Sequence, residues 1–349
     1  MKHGKAVQYR DFGGFDVVRV IPIERPNPAK GQVVVRVSAA GLNHIERFVR
    51  EGQLREDVTT RFPSGQGVEF SGVVELVGAE VTEFRKGQEV LGHLTGAGTH
   101  ANWITVAATA IIPKPAQVTM EEAAGLYLAG CTALHTITDL KLGPNDTIVI
   151  SAAAGGVGHL QVQLAVQSGA KVLALGSADN HDFLRALHAT PISYGDGVEA
   201  RIRDSAEGRA VTAFIDNHGG DEALAAALGV RSDRIVRSAD RRDIEIRYLT
   251  AAADDTEVLR ELSAMVSMVA EKRIVVVVSG FYPFEYVTQA YQDLARMHSR
   301  GKVVIGMDAV ETGVRNGWYL TEKQRSQRER IEPQRPSADG TKPSGIAEL

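Results

Sequence analysis

The sequence predicts two domains of different class, an N-terminal all-β unit and an α/β unit built on a doubly wound parallel sheet. Three observations carry this. The chain has 349 residues, enough for two domains that each bury a core. Residues 1–110 consist of short Val- and Gly-rich runs such as GQVVVRVSAAG (31–41), FSGVVELVG (70–78) and GQEVLGHL (87–94), punctuated by Gly and Pro. From about Glu121 the pattern changes to longer helical segments alternating with the apolar runs DTIVIS, AKVLALGS and AVTAFIDNHGG.

The first pattern is that of short strands joined by turns. The second is that of βαβ units. The run from Arg273 to Val278 is short and β-branched, and 283–307 supply a helix and a final strand. The expected domains are therefore 1–122 completed by 274–310, with 123–273 between them. Residues 311–349 are polar, with basic residues around Arg325 to Arg330. They are expected to form a mobile tail, because such a composition buries too little apolar area to offset the entropy of ordering. A basic contact arm is the other reading of this segment. No repeat of solenoid period is present.

Hydrophobic residues make up 44% of the chain and charged residues 23%, the usage of an ordinary globular protein. The formal net charge of -4 gives no general attraction to nucleic acid or acidic membranes. The first residues lack the apolar core of a signal peptide, and no apolar stretch approaches the roughly 20 residues that span a bilayer. A cytoplasmic protein with no nucleic-acid or membrane partner is expected. The one cysteine, Cys131, excludes an intrachain disulfide and a zinc site of several cysteines; its own reading is a small core residue. The histidines His44, His93, His100, His135 and His159 are scattered, without metal-ligand spacing.

The most informative segment is 146–177, where an apolar strand enters a glycine-rich turn and then an amphipathic helix ending at Gly169. A dinucleotide-binding fingerprint requires that context. Ala153 stands at the place of the first glycine. Gly155 lets the backbone approach a pyrophosphate and Gly158 lets the helix pack on the strand. The cofactor contacts are assigned to Ala153, Ala154, Gly155, Gly156, Val157 and Gly158, with helix N-terminal amides facing the phosphate charge. The bland alternative is that these glycines serve packing alone.

About twenty residues on, where NAD-binding chains carry a carboxylate for the ribose, this chain has Gly176 and Ser177. A carboxylate would repel a 2′-phosphate, whereas a small residue and a hydroxyl leave room and a donor for it. The cofactor read from these residues is NADPH. Asp179 lies close enough to face the ribose under a shifted register. Arg185 belongs to a solvated helix face unless its helix turns inward. Asn217, just past the run ending at Ile215, is assigned to the same cofactor site.

Taken together, these segments resemble the quinone oxidoreductase (zeta-crystallin-like) branch of the medium-chain dehydrogenase/reductase superfamily, over about residues 5 to 307. AAGLNHIERFVREG (39–52) resembles the family's AAGLNxxDxxxRxG segment, and 63–92 resembles its PGxExxGxVxxVG segment. MEEAAGLYLAGCTALHTI, the AAAGGVG turn, ISY ending at Tyr194 and HSRGKVVIGM follow in family order. The resemblance implies a GroES-like β domain, a Rossmann domain for NADPH, and a homodimer through an edge of the Rossmann sheet.

It also implies that zinc is absent, since Asn43 and Val68 stand where zinc-dependent relatives have a cysteine and a histidine, and neither replaces a thiolate or imidazole ligand. Asn43 matches the family asparagine beside the nicotinamide ribose and substrate and is the candidate catalytic residue; a turn-capping asparagine is its alternative. Thr132 matches a threonine beside the cofactor, or packs its helix. Tyr194 matches a tyrosine bordering the adenosine phosphate, and Asn180 stands where the family commonly has lysine. Phe48 and Leu54 occupy places where an aromatic hydroxyl often lies, so no proton donor is evident. Arg300 and Lys302 match the closing Arg-Gly-Lys segment, or form a solvated turn.

The implied activity is hydride transfer from NADPH to a quinone or an α,β-unsaturated carbonyl without zinc. Two alternatives stand beside it: an NADPH-binding crystallin-like protein with little turnover, and an enoyl-thioester reductase. Residues covering the nicotinamide are expected within 234–255.

Overall fold

The structure is a computed structural model that describes residues 3–296 and 299–307, together with the backbone of 314–315 and 318–319. The 311–349 segment expected to be mobile otherwise lies outside the described residues. By its contacts the chain divides into two compact units, with the division falling between Cys131 and Thr132 and again between Ile244 and Glu245.

In chain order the first stretch contains β1 (His3–Tyr9), β2 (Arg19–Glu24), β3 (Gln32–Leu42), α1 (His44–Arg50), β4 (Ser64–Gly65), β5 (Glu69–Val77), β6 (Glu89–His93), β7 (Trp103–Ala107) and β8 (Ile111–Pro113). Two helices follow, α2 (Met120–Ala124) and α3 (Tyr127–Leu140). Then come β9 (Thr147–Ile150), α4 (Gly158–Gln167), β10 (Lys171–Gly176), α5 (His181–Ala186), β11 (Thr190–Ser193), α6 (Val198–Ala206), β12 (Ala213–Ile215), α7 (Glu222–Ala227), β13 (Ile235–Val236) and α8 (Ser238–Thr250). Next come α9 (Thr256–Ala270), β14 (Val278–Pro283), α10 (Val287–Ala295) and β15 (Lys302–Gly306), followed by the antiparallel pair β16 (Val314–Arg315) and β17 (Trp318–Tyr319).

The first unit is organised around β3, which pairs antiparallel with β5, β7 and β15. A strand covered on both faces and both edges reads as a continuous apolar run rather than an alternating one, and Val33, Val34, Val35 and Val37 are indeed buried. The sheet runs β14-β15-β3-β5-β6-β8, and β2-β1-β4 form a second, smaller sheet. The α2 helix starts at a reciprocal capping box: Glu122 N–H donates to Thr119 Oγ1 at 3.1 Å, and Thr119 N–H donates to Glu122 Oε2 at 2.7 Å. The 273–278 run differs from the sequence expectation. Its strand begins only at Val278; before it, Ile274, Val276 and Val277 are buried, and Val277 O accepts from Lys302 N–H at 2.7 Å.

The second unit holds a parallel sheet in the order β11-β10-β9-β12-β13. All four residues of β9 are buried, as helices packed on both faces require. The chain winds outward from β9 through β10 to β11, then returns to the other side of β9 for β12 and β13. This reversal, between β9 and β12, is the topological switch point, where the C-terminal strand ends leave a crevice for a ligand. Among the described residues no helix is long and apolar enough to cross a membrane.

Candidate active site

At the C-terminal end of β9 the chain turns through 151–157 into α4. Gly155 N–H donates to Ala152 O at 3.0 Å, and His159 N–H donates to Gly155 O at 3.1 Å. Among the described residues no backbone carbonyl takes the amides of Gly156 and Val157. They sit at the head of a ten-residue helix, where unsatisfied N–H groups and the helix dipole favour an anion. A Cβ at Gly158 would collide with the Ala152 carbonyl oxygen and lie 2.9 Å from Ala153 Cα, so the tight turn admits only glycine there. At Gly155 a Cβ would meet only Ala152 O, at 3.2 Å. Ala153 and Ala154 are buried beneath the turn.

Across the switch point, just past β12, Asn217 Nδ2 donates to Ser151 O at 3.0 Å and to Gln161 Oε1 at 2.7 Å. Gln161 Nε2 donates to Thr136 Oγ1 at 2.9 Å, and Thr136 Oγ1 donates to Thr132 O at 3.0 Å. The residues at its two ends each carry a further buried atom without a partner, Asn217 Oδ1 and Thr132 Oγ1. Buried polar atoms are nearly always satisfied, so these two are places for a polar ligand. The Asp216 carboxylate shapes the adjoining turn by accepting from Gly219 N–H at 2.6 Å and Asp221 N–H at 3.0 Å.

One strand outward, Gly176 and Ser177 end β10, and Gly176 is in register with Ser193 of β11. Ser177 Oγ accepts from Asn180 Nδ2 at 3.0 Å, which leaves the hydroxyl proton free to donate. Tyr194, next after β11, is 64% exposed. Its loop is held by Arg201, which donates to Ser193 O at 2.9 Å and Asp196 O at 2.7 Å. His181 Nε2 lies 3.3 Å from Ser193 Oγ. Arg185 pairs with Asp182 at 2.8 Å with both side chains more than half exposed, the solvated-face arrangement. Asp179 is also exposed. The turn from Ala153 to Gly158, Gly176, Ser177 and Asn217 thus gather at one end of the sheet. Thr132 joins through the buried bonds, and Tyr194 stands on the neighbouring strand end.

Asn43 belongs to the first unit, at the junction of β3 and α1. It occupies the N-cap position of α1 without a side-chain capping bond, so the turn-capping role is not what its amide does. Nδ2 donates to Glu69 Oε1 at 2.8 Å and to Glu46 Oε1 at 3.3 Å, and Oδ1 accepts from Lys302 Nζ at 2.6 Å. Lys302 Nζ also donates to Leu42 O at 3.2 Å and pairs with Glu69 Oε1 at 3.0 Å. The other Glu69 oxygen accepts from Leu128 N–H at 2.9 Å. Lys302 is buried: the carboxylate of Glu69, buried on β5 across β3 from it, draws its ammonium inward, so the solvated-turn alternative does not hold for it. A Cβ on Gly41 would collide with the Glu69 carboxylate, which is why a glycine precedes Leu42 and Asn43.

Two buried carboxyls, Glu46 and Glu69, face one buried cation here. Burial first, and then the Glu69 charge, push the Glu46 carboxyl up to about 7, against the pull of Asn43 and Lys302. His100 lies nearby, with Nδ1 2.6 Å from Tyr291 Oη and Nε2 3.0 Å from Gly41 O; burial lowers it to about 4. A cleft opens beside Glu46, walled by Tyr9, Val58, Thr60, Gln66, Val68 and Leu249. Cys131 is buried, and burial raises its thiol well above the ordinary range, which suits a core residue rather than a nucleophile.

Sequence reasoning did not single out Glu46, Glu69, Gln66, Thr136 or Gln161. The signal for Glu69 was present, as an acidic residue in an otherwise inward-facing strand. Gln161 and Thr136 carried none, since polar residues within an amphipathic helix read as its wet face.

Two family profiles match the chain. The alcohol dehydrogenase GroES-like domain covers residues 29–116, and the zinc-binding dehydrogenase family covers 187–305. A chloroplastic quinone-oxidoreductase homolog of Spinacia oleracea is 33% identical over 197 residues, 54% of this chain and 60% of its own length. The chloroplastic quinone-oxidoreductase QR1 of Triphysaria versicolor is 30% identical over 220 residues, 60% of this chain and 67% of its own. Among solved structures, the Coxiella burnetii quinone oxidoreductase superposes with a TM-score of 0.74 at 28% identity, covering 88% of this chain and all of that one. The Escherichia coli quinone oxidoreductase complexed with NADPH gives 0.73 at 22% identity, covering 86% of this chain and 99% of that one.

The chain belongs to the medium-chain dehydrogenase/reductase superfamily, in its quinone oxidoreductase-like branch. It is an oxidoreductase, and the Escherichia coli neighbour of the same fold was solved in complex with NADPH. The orphaned Asn217 and Thr132 atoms and the uncommitted amides of the turn suit such a dinucleotide. The second profile is named for zinc, whereas the sequence resemblance puts Asn43 and Val68 at the two ligand places. Among the described residues no group of three or more His, Cys, Asp or Glu is arranged to hold a metal.

Proposed function

We propose that this chain is an NADPH-dependent reductase of quinones or α,β-unsaturated carbonyls that works without zinc. The observation that carries the reading is the convergence, at the β9–β12 switch point, of the free amides of Gly156 and Val157 with the unsatisfied Asn217 Oδ1. When bound, NADPH supplies the hydride. The Gly155–Gly158 turn holds the pyrophosphate, Asn217 and Thr132 satisfy their orphaned atoms on the nicotinamide half, and Gly176 and Ser177 leave space and a donor for the 2′-phosphate. Tyr194 borders the adenosine.

On the acceptor side, Val68 and Asn43 at the ligand places leave no Lewis acid to polarise a saturated carbonyl. A conjugated acceptor spreads the developing charge over its own π system, so positioning and hydrogen bonds suffice. Asn43, locked by Glu69 and Lys302, acts in this reading by fixing the wall of the acceptor cleft. A homodimer through an edge of the parallel sheet, where β11 and β13 are the terminal strands, completes the proposal.

The test is NADPH oxidation followed by absorbance with a panel of quinones, enones, saturated ketones and enoyl thioesters. Turnover of quinones or enones with little of saturated ketones is expected. Saturable NADPH binding with no oxidation by any acceptor would replace the enzyme reading with the crystallin-like one. Preference for acyl thioesters would move the substrate to that class.

A further inference from the structure

The proposed reaction needs a proton as well as a hydride, and the aromatic hydroxyls expected near Phe48 and Leu54 are missing. We infer that Glu46 is the proton donor to the reduced acceptor, delivering its proton into the cleft walled by Val68 and Gln66. This inference rests on the functional reading above and deepens it.

Geometry comes first. Glu46 lies in the first turn of α1, three residues past Asn43, and lines both the cleft with Gln66 and Val68 and a second one with Asn43 and Arg50. One carboxyl oxygen accepts from Asn43 Nδ2 at 3.3 Å. The carboxyl group also receives the Asn43 backbone N–H. An independent observation marks the same wall as built for a polar ligand: Gln66 Nε2 donates to Glu46 O at 3.4 Å, while Gln66 Oε1 is buried with no partner. A donor on Glu46 beside an unfilled acceptor on Gln66 matches a carbonyl-bearing acceptor, and for a quinone also the hydroxyl-bearing product.

Charge then explains why the proton is there. The groups facing Glu46 are Glu69 from β5, Lys302 from β15, Tyr9 from β1 and Tyr291 from α10, and Arg50, one turn on along its own helix, lines the same second cleft. Lys302 is committed to Glu69. Arg50 donates to Gly13 O at 3.3 Å and lies over the Phe15 and Tyr291 rings. Burial and the Glu69 charge therefore keep Glu46 protonated up to about pH 7, where a general acid is most effective.

The step balances. Hydride forms a C–H bond at the β-carbon of the enone, and the displaced π pair becomes an enolate. The Glu46 O–H bond breaks and its proton joins the α-carbon, or the oxygen when the acceptor is a quinone. The acceptor gains two electrons, which leave NADPH as NADP⁺. Glu46 remains as carboxylate and regains a proton from water.

Two measurements on the full-length protein decide the matter. The first requires no turnover: the infrared difference between the parent protein and Glu46→Gln should contain a protonated-carboxyl band that titrates away near pH 7. Its absence at neutral pH overturns the proposal. The second is kinetic. Glu46→Gln should lower kcat about 100-fold, abolish the alkaline fall of kcat near pH 7 and the solvent deuterium effect, and leave the Kd for NADPH unchanged. Glu46→Asp should keep the alkaline fall with reduced rate, which covers the case in which the glutamine variant does not fold. A Gln variant with the parent rate and pH profile sinks the proton-donor role while leaving the reductase reading intact. A parent protein that oxidises no NADPH with any acceptor sinks both, whatever the infrared band shows.

Discussion

Removing the buried ammonium with Lys302→Met tests the architecture beneath the acceptor cleft. Lys302 and Glu69 are 3.0 Å apart and buried. At an effective dielectric of about 20, two unit charges at that distance attract by about 5.5 kcal/mol. The substitution also empties Asn43 Oδ1 and Leu42 O of their donor. Glu69 keeps its bonds from Asn43 and Leu128, which moderates the effect. The expected loss is about 3–5 kcal/mol, as for a buried pair broken by removing one partner. Denaturant unfolding reads it, followed by the fluorescence of the buried Trp103 in a Trp318→Phe background. The double change Lys302→Met with Glu69→Gln should be less destabilising than the single one, because no charge is then stranded. A single-variant loss below about 1 kcal/mol, or a double variant worse than the single, would refute the reasoning.

Gly158→Val drives a side chain into the Ala152 carbonyl and the Ala153 backbone; NADPH binding by nucleotide fluorescence should weaken about 100-fold or more, equivalent to about 2.7 kcal/mol. Ser177→Asp places a carboxylate where the 2′-phosphate is expected, so the ratio of NADPH to NADH affinity should fall at least about tenfold. Stability should also depend on pH. Burial lowers His93 and His100 from 6.5 to about 4. Between those values the unfolded chain binds protons that the folded one refuses, so this stability is fully present above pH 6.5 and is lost as pH falls to about 4, about 3 kcal/mol per imidazole. Glu46 acts in the opposite sense from 4.5 to about 7, where the folded protein retains a proton that the unfolded chain has released. Glu46→Gln should therefore steepen the rise of stability with pH, as measured by denaturant midpoints.

The fold was legible because each unit has its own periodicity. The strands at 32–42 and 69–77 and the strand-turn-helix at 147–167 follow directly from Val-rich runs and glycine placement. The turn at the head of α4 was legible for the same reason, since the tight approach to Ala152 and Ala153 needs glycine at 158. Burial of charge was not legible. Lys302 reads in sequence as part of a polar turn, and Glu46 as the wet face of a short helix. Only the meeting of β3, β5, α1 and β15 shows two carboxyls sharing one ammonium. The Thr132–Thr136–Gln161–Asn217 chain is hidden likewise, since its members are spread over 86 positions of sequence and joined only by packing.

The central claim is that a reduced dinucleotide lies on the amides at the head of α4, with its nicotinamide half satisfying Asn217 and Thr132. A crystal structure of the NADPH complex tests this most directly. The account predicts pyrophosphate oxygens on Gly156 and Val157 N–H, a donor on Asn217 Oδ1, a partner for Thr132 Oγ1, and the 2′-phosphate beside Ser177. A pyrophosphate seated elsewhere, or Asn217 Oδ1 and Thr132 Oγ1 still without partners in the complex, would contradict it.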